Sequence, residues 1–259
     1  MSFTIAITGK GGVGKTTLAG LLVKRLIASG RRPVLAVDAD PNTCLDAALG
    51  VKIRQTVGGG REEARQIAGK GLASGISKQQ LLELKIEESL VEAEAFDYLA
   101  MGRPEGPGCY CYANNVLKSA LETLAGHYPY VVLDNEAGLE NLSRRIVRKV
   151  DLLIMVSDPS RRGLETVRRL HALAREMGVA FDRLALVVNR LRQETLPAEV
   201  EAVRAETGAQ AVWGLPDLAA VAERAERGEY GCDLPADNAL VRKVDELLRV
   251  LVPGRETGG

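Results

Sequence analysis

Aromatic residues and cysteines are scarce in this sequence, and neither sign of charge is in excess. Phenylalanine, tryptophan and tyrosine make up 4% of the 259 residues, which disfavours recognition of nucleic acid by base stacking. The 34 basic residues balance 34 acidic ones, so net charge gives no reason to expect nucleic acid or an anionic membrane as a partner. Four cysteines are too few for a disulfide framework in a chain of this length, which predicts a reducing cytoplasm as the compartment.

Long apolar runs are missing as well. The first residues, MSFTIAITG, lack the basic start and the extended apolar stretch of a secretory signal. The run LLIMV at 152–156 is far too short to cross a bilayer. We therefore expect no membrane segment.

Short apolar runs alternate with stretches of helical periodicity, which predicts an α/β fold with a doubly wound, mostly parallel sheet flanked by helices. The predicted strands are 3–8, 33–37, 97–101, 129–133, 151–156, 183–188 and a short one at 210–213. The predicted helices are 16–29, 61–69, 78–93, 115–126, 139–149, 161–177, 197–206, 217–227 and 238–251. We expect one domain over 1–259, with a helical or mobile insertion at about 50–95, where residues 58–76 hold six glycines among charged residues. Ligands of such folds bind at the carboxyl ends of the strands.

The segment TGKGGVGKTT, residues 8–17, lies between the first predicted strand and the first predicted helix. It fits the phosphate-loop pattern G-x-x-x-x-G-K-[ST], which begins at Gly9. Glycines let backbone N–H groups approach a phosphate, and the helix N-terminus adds the positive end of its dipole. We predict that Lys15 reaches the β- and γ-phosphates and that the Thr16 hydroxyl ligates Mg²⁺. The predicted nucleotide-binding residues of the loop are Gly11, Gly12, Val13, Gly14, Lys15, Thr16 and Thr17.

Acidic residues follow two other predicted strands. VDADPN at 37–42 contains Asp38 and Asp40, and VLDNEAG at 132–138 contains Asp134. Hydrolysis of a nucleoside triphosphate needs an acidic partner for Mg²⁺ and a group that orients the attacking water. A lone aspartate at a strand end is most often a turn or capping residue, but three beside a phosphate loop favour a catalytic role.

Lys10 is an additional lysine inside the phosphate loop. The resulting form, K-G-G-x-G-K-[ST], resembles the deviant Walker A motif of the MinD, ArsA and nitrogenase-iron-protein class of ATPases. This resemblance implies that Lys10 crosses to the nucleotide of a partner subunit, so that the ATP-bound form is a homodimer. It also implies that Asp40 activates the attacking water, while Asp38 and Asp134 serve the magnesium shell and the second switch loop.

The sequence indicates the residues that would contact the base less clearly than those that would bind the phosphates. The guanine-specific pattern N-K-x-D is absent, whereas VVNR at 187–190 places Asn189 after a late strand. GLPD at 214–217 provides a turn at Pro216, where this class of ATPases packs the adenine. We therefore predict ATP or ADP as the nucleotide, with Asn189 and Pro216 beside the base.

Cys109 and Cys111 are separated by one residue in GPGCYCYANN at 106–115. In an extended segment, residues i and i+2 point to the same side, so both thiolates can bind one ion. Sulfur ligands suit Zn²⁺ or Ni²⁺, and a structural zinc takes four ligands. One chain thus supplies half of a four-thiolate site, and a twofold axis through the segment would complete it. Cys44 and Cys232 stand apart, and we expect them to be buried or inert thiols.

Three segments resemble the CooC family of nickel-insertion ATPases: MGRPEGPGCYCYANN at 101–115, DNEAGLENLSRR at 134–145 and SDPSRRGLET at 157–166. The likeness runs from the phosphate loop to about residue 190. The family matures carbon monoxide dehydrogenase, and a sister type serves acetyl-CoA synthase. The resemblance implies an ATP-dependent nickel metallochaperone that shares Ni²⁺ or Zn²⁺ between two copies of Cys109 and Cys111 and delivers nickel to one of these enzymes.

Two other function classes use the same phosphate-loop motif. An electron-transfer protein like the nitrogenase iron protein holds an iron–sulfur cluster between subunits, on cysteines that are far apart in sequence. Iron content and a brown colour would indicate this class. A partitioning or cell-division ATPase of the MinD or ParA type is a switch on membrane or DNA. It would leave the C-x-C unexplained, and the last predicted helix carries neither a basic membrane face nor a basic DNA patch.

Overall fold

A computed structural model describes residues 2–70, 77–103, 117–118, 120–138, 149–217, 221, 223 and 232–254. Within these residues, eight strands form one sheet in the order β3-β4-β2-β5-β1-β6-β7-β8. Neighbouring strands are parallel except β3 and β4, which are antiparallel. The strands are β1 (Phe3–Gly9), β2 (Val34–Asp38), β3 (Leu90–Glu92), β4 (Phe96–Ala100), β5 (Tyr130–Asp134), β6 (Lys149–Ser157), β7 (Ala180–Leu191) and β8 (Ala211–Pro216).

Helices cover both faces of this sheet, which confirms the predicted fold class. Alternate strand residues face opposite sides, so Ile5 and Ile7 pack in one apolar layer and Ala6 in the other. The first layer contains α1 (Lys15–Ala28), α2 (Leu45–Leu49) and α7 (Ala239–Leu251). The second contains α3 (Val57–Lys70), α4 (Lys78–Glu88), α5 (Arg161–Glu176) and α6 (Glu199–Thr207). None of the helices in the described ranges is long and apolar enough to cross a membrane.

All seven predicted strands are present, but the helix predicted at 78–93 is wrong at its end. The helix stops at Glu88, and the next residues form the edge strand β3. In β3, Leu90 lies opposite Leu99 and Val91 opposite Tyr98. Pairing with β3 satisfies the backbone groups on the outer edge of β4, which a further helical turn would leave without a strand partner.

The short helix α2 was not predicted. It has five residues, too few for helical periodicity to be visible in the sequence. Its first N–H groups are instead satisfied by a side chain from another element, because the Asp38 carboxylate accepts from the backbone N–H of Leu45 at 2.9 Å.

The glycines at 58–60 begin α3, whereas the sequence predicted a mobile stretch there. Their role is close packing. A Cβ atom on Gly58 would lie 3.1 Å from the carbonyl oxygen of Met101, and one on Gly60 would lie 3.0 Å from that of Lys85. Glycine therefore lets α3 approach the neighbouring segments more closely than a residue with a side chain could.

Some predicted elements fall outside the described residues. Of the helix predicted at 115–126, residues 117–118 and 120–124 are helical, and Ala125–His127 forms a 3₁₀ turn. Of the one predicted at 139–149, only Lys149 is described, and it begins β6. Of the one predicted at 217–227, only residues 217, 221 and 223 are described.

Candidate functional site

The phosphate-loop motif lies between β1 and α1, at the carboxyl edge of the sheet. Gly9 and Gly14 have φ angles of +153° and +93°, which side-chain-bearing residues rarely adopt. A Cβ atom on Gly9 would lie 2.3 Å from the carbonyl oxygen of Val156, and one on Gly14 would lie 2.4 Å from Nδ2 of Asn189. The glycines of the motif are therefore required by the shape of the loop in this fold.

Lys15 is buried under the loop that precedes it. Its Nζ donates a hydrogen bond to the carbonyl oxygen of Lys10 at 3.2 Å, so the loop curls around the ammonium group. Burial lowers the pKa of Lys15, while the carboxylates of Asp134, Asp40 and Glu136 act in the opposite direction. The sheet thus brings a buried lysine together with three acidic groups from two other strand ends.

Thr16 and Asp134, both predicted to serve magnesium, are in contact. The Thr16 side chain lies beside the Asp134 carboxylate and favours its ionised form, and the Oδ1 atom of Asp134 is buried without a partner among the described residues. Burial raises the pKa of Asp134 to about 7, and repulsion from Asp38 adds to this effect, whereas the Thr16 side chain and the charge of Lys15 oppose it. A hydroxyl beside a carboxylate with an unused oxygen fits Mg²⁺, which prefers oxygen ligands.

Asp38 shapes the loop that carries Asp40. Its Oδ1 accepts from the N–H of Asp40 at 2.9 Å, and its Oδ2 accepts from the N–H groups of Cys44 and Leu45, each at 2.9 Å. The Tyr98 hydroxyl also donates to Oδ2, at 3.4 Å. Burial raises the pKa of Asp38 to about 6. These contacts give Asp38 a positioning role, and direct ligation of Mg²⁺ by Asp38 stays a prediction.

Asp40, the predicted water-activating residue, is half-buried at the start of the same loop. Its Oδ1 accepts hydrogen bonds from Asn42, from the backbone N–H at 2.8 Å and from the side-chain Nδ2 at 3.1 Å. The negative charge of Asp40 also opposes the lowering of the Lys15 pKa by burial. The carboxylate therefore lies near the place where Lys15 would meet a terminal phosphate.

Asn189 and Pro216, the predicted base contacts, lie near the carboxyl ends of the neighbouring strands β7 and β8. Asn189 Nδ2 donates to the carbonyl oxygen of Val13 at 2.8 Å, which fastens β7 to the phosphate loop. Pro216 pairs with Leu191 after an irregularity in β7. A cavity of about 880 Å³ opens beside these strand ends, with Asp158, Arg190 and Asp217 in its wall.

Lys10 pairs with a different carboxylate from the three that act on Lys15. Its Nζ lies 4.0 Å from Oδ2 of Asp158, at the carboxyl end of β6, and its side chain remains 43% exposed. The charges of Lys10 and Arg190 help to keep the pKa of Asp158 below its usual value, as do its bonds to Ser160, against the effect of burial. In the single chain, the additional lysine is thus paired with its own subunit.

Three further polar residues at this edge were not predicted from the sequence. Asn135 is buried, its Nδ2 donates to the Ile7 carbonyl at 3.0 Å, and its Oδ1 has no partner among the described residues. The negative charge of Glu136 opposes the lowering of the Lys15 pKa by burial, and Asp158 forms an ion pair with Lys10. All three lie within two residues of the end of a buried strand, a position like that of Asp134.

The cysteines divide into two groups. Cys109 and Cys111 lie outside the described residues, and in the rest of the chain no three His, Cys, Asp or Glu side chains are grouped to hold a metal ion. Cys232 is buried, as one of the two expectations had it, whereas Cys44 is exposed, so that for Cys44 only the expectation of an inert thiol is left. The Cys232 thiol lies 3.5 Å from the carbonyl oxygen of Thr17, on the helix that follows the phosphate loop.

In the nucleotide-free and magnesium-free protein, we expect Asp134→Asn to raise the unfolding temperature at pH 8. The folded state holds the Asp134 proton more tightly than the unfolded chain does, because burial raises its pKa to about 7. The stability of the wild type therefore falls as pH rises from about 4 to about 7, and this loss is complete at pH 8. Removing the charge should recover on the order of 4 kcal/mol. Thermal unfolding across this pH range tests it, and a gap between the variants that does not shrink at low pH would contradict it.

The sequence of this chain is similar to those of several known proteins. The sequence matches the family model of the CobQ/CobB/MinD/ParA nucleotide binding domain over residues 4–231. An uncharacterised ATP-binding protein of Methanocaldococcus jannaschii is 40% identical over 249 residues, which are 96% of this chain and 98% of that protein.

Two further similarities are more distant. The carbon monoxide dehydrogenase accessory protein CooC of Rhodospirillum rubrum is 33% identical over 191 residues, 68% of this chain and 70% of that protein. Among solved structures, the MinD cell division protein of Aquifex aeolicus superposes with a TM-score of 0.64 at 22% identity, over 97% of this chain and 99% of that one. At this identity, the second similarity supports the fold alone.

Proposed function

The chain belongs to the CobQ/CobB/MinD/ParA nucleotide-binding domain family, and we propose that it is an ATPase that delivers nickel to a carbon monoxide dehydrogenase or an acetyl-CoA synthase. The observation that carries the ATPase part is the contact of Thr16 with Asp134, whose charge acts on the buried Lys15. The nickel part is supported by the Cys109–Cys111 pair and by the similarity to the CooC accessory protein over about two thirds of the chain.

Hydrolysis transfers the terminal phosphoryl group of ATP to water, so the bond to the β–γ bridging oxygen breaks and ADP leaves with inorganic phosphate. In our proposal, Lys15 and the N–H groups of the loop stabilise negative charge on the phosphate oxygens. Asp40 orients the attacking water and accepts its proton. Thr16 and Asp134 would hold Mg²⁺, which would supply positive charge against the phosphate oxygens.

The base of the nucleotide is assigned to the ends of β7 and β8. Asn189 uses one N–H on the carbonyl oxygen of Val13, which leaves its second N–H and its carbonyl oxygen for adenine. Pro216 ends β8 beside the next loop, where its ring can pack on the base. We therefore assign ATP and ADP, held between the phosphate loop and these two strand ends.

Lys10 is the residue that would couple ATP binding to formation of the homodimer. Its pair with Asp158 is partly exposed, and such pairs contribute only about 0–1 kcal/mol. The γ-phosphate of a nucleotide bound to the partner subunit, which carries more charge, can replace this contact. ATP would then favour the dimer, and ADP would leave more monomer.

Nickel is the cargo in this proposal, with zinc as the other ion that the same ligands accept. Two thiolates from Cys109 and Cys111 leave a four-coordinate ion half-liganded, so a second copy of the chain must supply the other two. Hydrolysis of ATP would weaken the dimer, and the ion held between the two copies would then be bound less tightly. The client enzyme would receive nickel at that step.

We expect one nickel ion per dimer, and we expect the double variant Cys109→Ser, Cys111→Ser to lose both the ion and metal-driven dimerisation. Nucleotide binding by its monomer should persist, because the phosphate loop is separate. Metal titration with analytical ultracentrifugation measures both effects. Nickel affinity should also fall as pH drops, since protons compete for the thiolates.

The exposed Cys44 provides the matched control, and Cys44→Ser should leave stoichiometry unchanged. One ion per monomer, or equal nickel affinity with ADP and with a non-hydrolysable ATP analogue, would contradict the shared-site mechanism. A wild type that dimerises on ATP but binds no nickel would favour a partitioning switch. Stoichiometric iron in anaerobically purified protein would favour electron transfer.

A further inference from the structure

The loops that follow β2 and β4 leave the sheet side by side. The two strands are parallel neighbours, and Asp38 lies opposite Ala100 at their carboxyl ends. The pairing continues one step further, since the N–H of Met101 donates to the carbonyl oxygen of Asp38 at 2.8 Å. Residues 101–103 therefore run next to the loop that carries Asp40.

A chain of hydrogen bonds joins the two loops. The Arg103 guanidinium donates from Nη2 to the Oδ1 atom of Asn42. Asn42 in turn donates to Oδ1 of Asp40, from its backbone N–H at 2.8 Å and from its Nδ2 at 3.1 Å. Both ends of the Asn42 amide are matched, an acceptor toward arginine and a donor toward the carboxylate, so its orientation is fixed by its neighbours.

The Arg103 side of this chain is backed by tight packing. Gly102 has a φ of +66°, and a Cβ atom there would lie 2.3 Å from Oγ1 of Thr56. The N–H of Gly58, at the start of α3, donates to the carbonyl oxygen of Met101 at 2.9 Å. The segment 101–103 is thus held against α3 on one side and meets Asn42 on the other.

The Asp40 side carries backbone strain. Thr43 has a φ of 45°, a left-handed conformation that β-branched residues rarely adopt. The N–H of Thr43 donates to the carbonyl oxygen of Asp40 at 3.1 Å. A strained turn persists only where its surroundings hold it, and here the Asp38 carboxylate and Asn42 do so.

We propose that Arg103 is a positioning residue for ATP hydrolysis: through Asn42 it holds the Asp40 carboxylate in the orientation that turnover needs. The inference rests on the proposed function of Asp40 and adds a residue that orients its carboxylate.

The test is steady-state ATPase kinetics of the full chain with Arg103→Ala, Asn42→Ala and the double variant. Each single change should lower kcat about fivefold to tenfold with KM for ATP within twofold, because it breaks the side-chain hydrogen bonds that link Arg103 to the charged Asp40. The double variant should be no slower than the slower single variant, since both break one chain. Arg103→Lys should restore part of kcat. Arg169→Ala is the matched control, an exposed arginine on α5 paired with Glu165, and it should behave as wild type.

Three outcomes would overturn the inference. Unchanged kcat in Arg103→Ala shows that Asp40 does not need this contact. A fall in kcat accompanied by equal losses of nucleotide affinity and unfolding temperature indicates a structural role only. Multiplicative effects in the double variant show that Arg103 and Asn42 act separately.

No ATP turnover by the wild type would refute the proposed ATPase itself, which separates that failure from the others.

Discussion

Lys15→Ala is expected to weaken ATP and ADP binding by at least about a hundredfold, because it removes charge-assisted hydrogen bonds worth about 1.5–3 kcal/mol each. The loss has a second source. Lys15 is the buried cation that faces Asp134, Asp40 and Glu136, so its removal leaves three acidic groups to repel the phosphates. Isothermal titration with each nucleotide measures the change.

Lys24→Ala is the matched control for this variant. Lys24 lies on the same helix but pairs with Asp233, away from the phosphate loop, and its loss should not change nucleotide affinity. If Lys15→Ala binds nucleotide within threefold of the wild type, the motif does not act as a phosphate site in this chain.

Asp40→Asn is expected to keep nucleotide binding and to lose turnover by about 10²–10⁴-fold, the range for loss of a general base. Asparagine keeps the size of the side chain and can still meet Asn42, but it cannot accept the proton of the attacking water. The variant should therefore accumulate as an ATP-bound dimer. Single-turnover hydrolysis and sedimentation with ATP measure the two effects.

Asp46→Asn controls for the loss of a nearby negative charge, because Asp46 lies in the first turn of α2, six residues beyond Asp40. It should hydrolyse ATP at the wild-type rate. Normal turnover by Asp40→Asn would assign water activation to another residue. A wild type with the same mass in every nucleotide state would refute the coupled dimer.

The fold and the phosphate loop were predictable because their signals are local. Buried parallel strands appear as short apolar runs, and the loop needs glycine where no other residue fits, as at Gly9 and Gly14. The strand-end aspartates were found for the same reason. Short elements such as α2 and β3 carry too few residues for periodicity to reveal them.

The contacts between loops were not predictable, because they depend on the order of strands in the sheet. Arg103 meets Asn42 only because β4 lies next to β2, although 61 residues separate the two side chains in sequence. Asp158 meets Lys10 because β6 lies next to β1. Asp38 acts as the support of its loop because α2 begins where that carboxylate can cap it, and the sequence contains no local trace of this.

Hydrogen bonds from two neighbouring segments hold the phosphate loop at Val13 and Gly9. Asn189 holds the Val13 carbonyl, and the N–H of Gly138 donates to the carbonyl oxygen of Gly9 at 3.1 Å. Little conformational freedom remains to be lost on binding, so the loop is preorganised for phosphates in general. A preorganised cradle offers the α- and β-phosphates of ATP and ADP the same contacts and cannot distinguish the two nucleotides by changing shape. Selectivity between the two nucleotides must then come from contacts that only the γ-phosphate of ATP makes. The ratio of the ATP concentration to the ADP concentration around the protein then determines which nucleotide is bound in the loop.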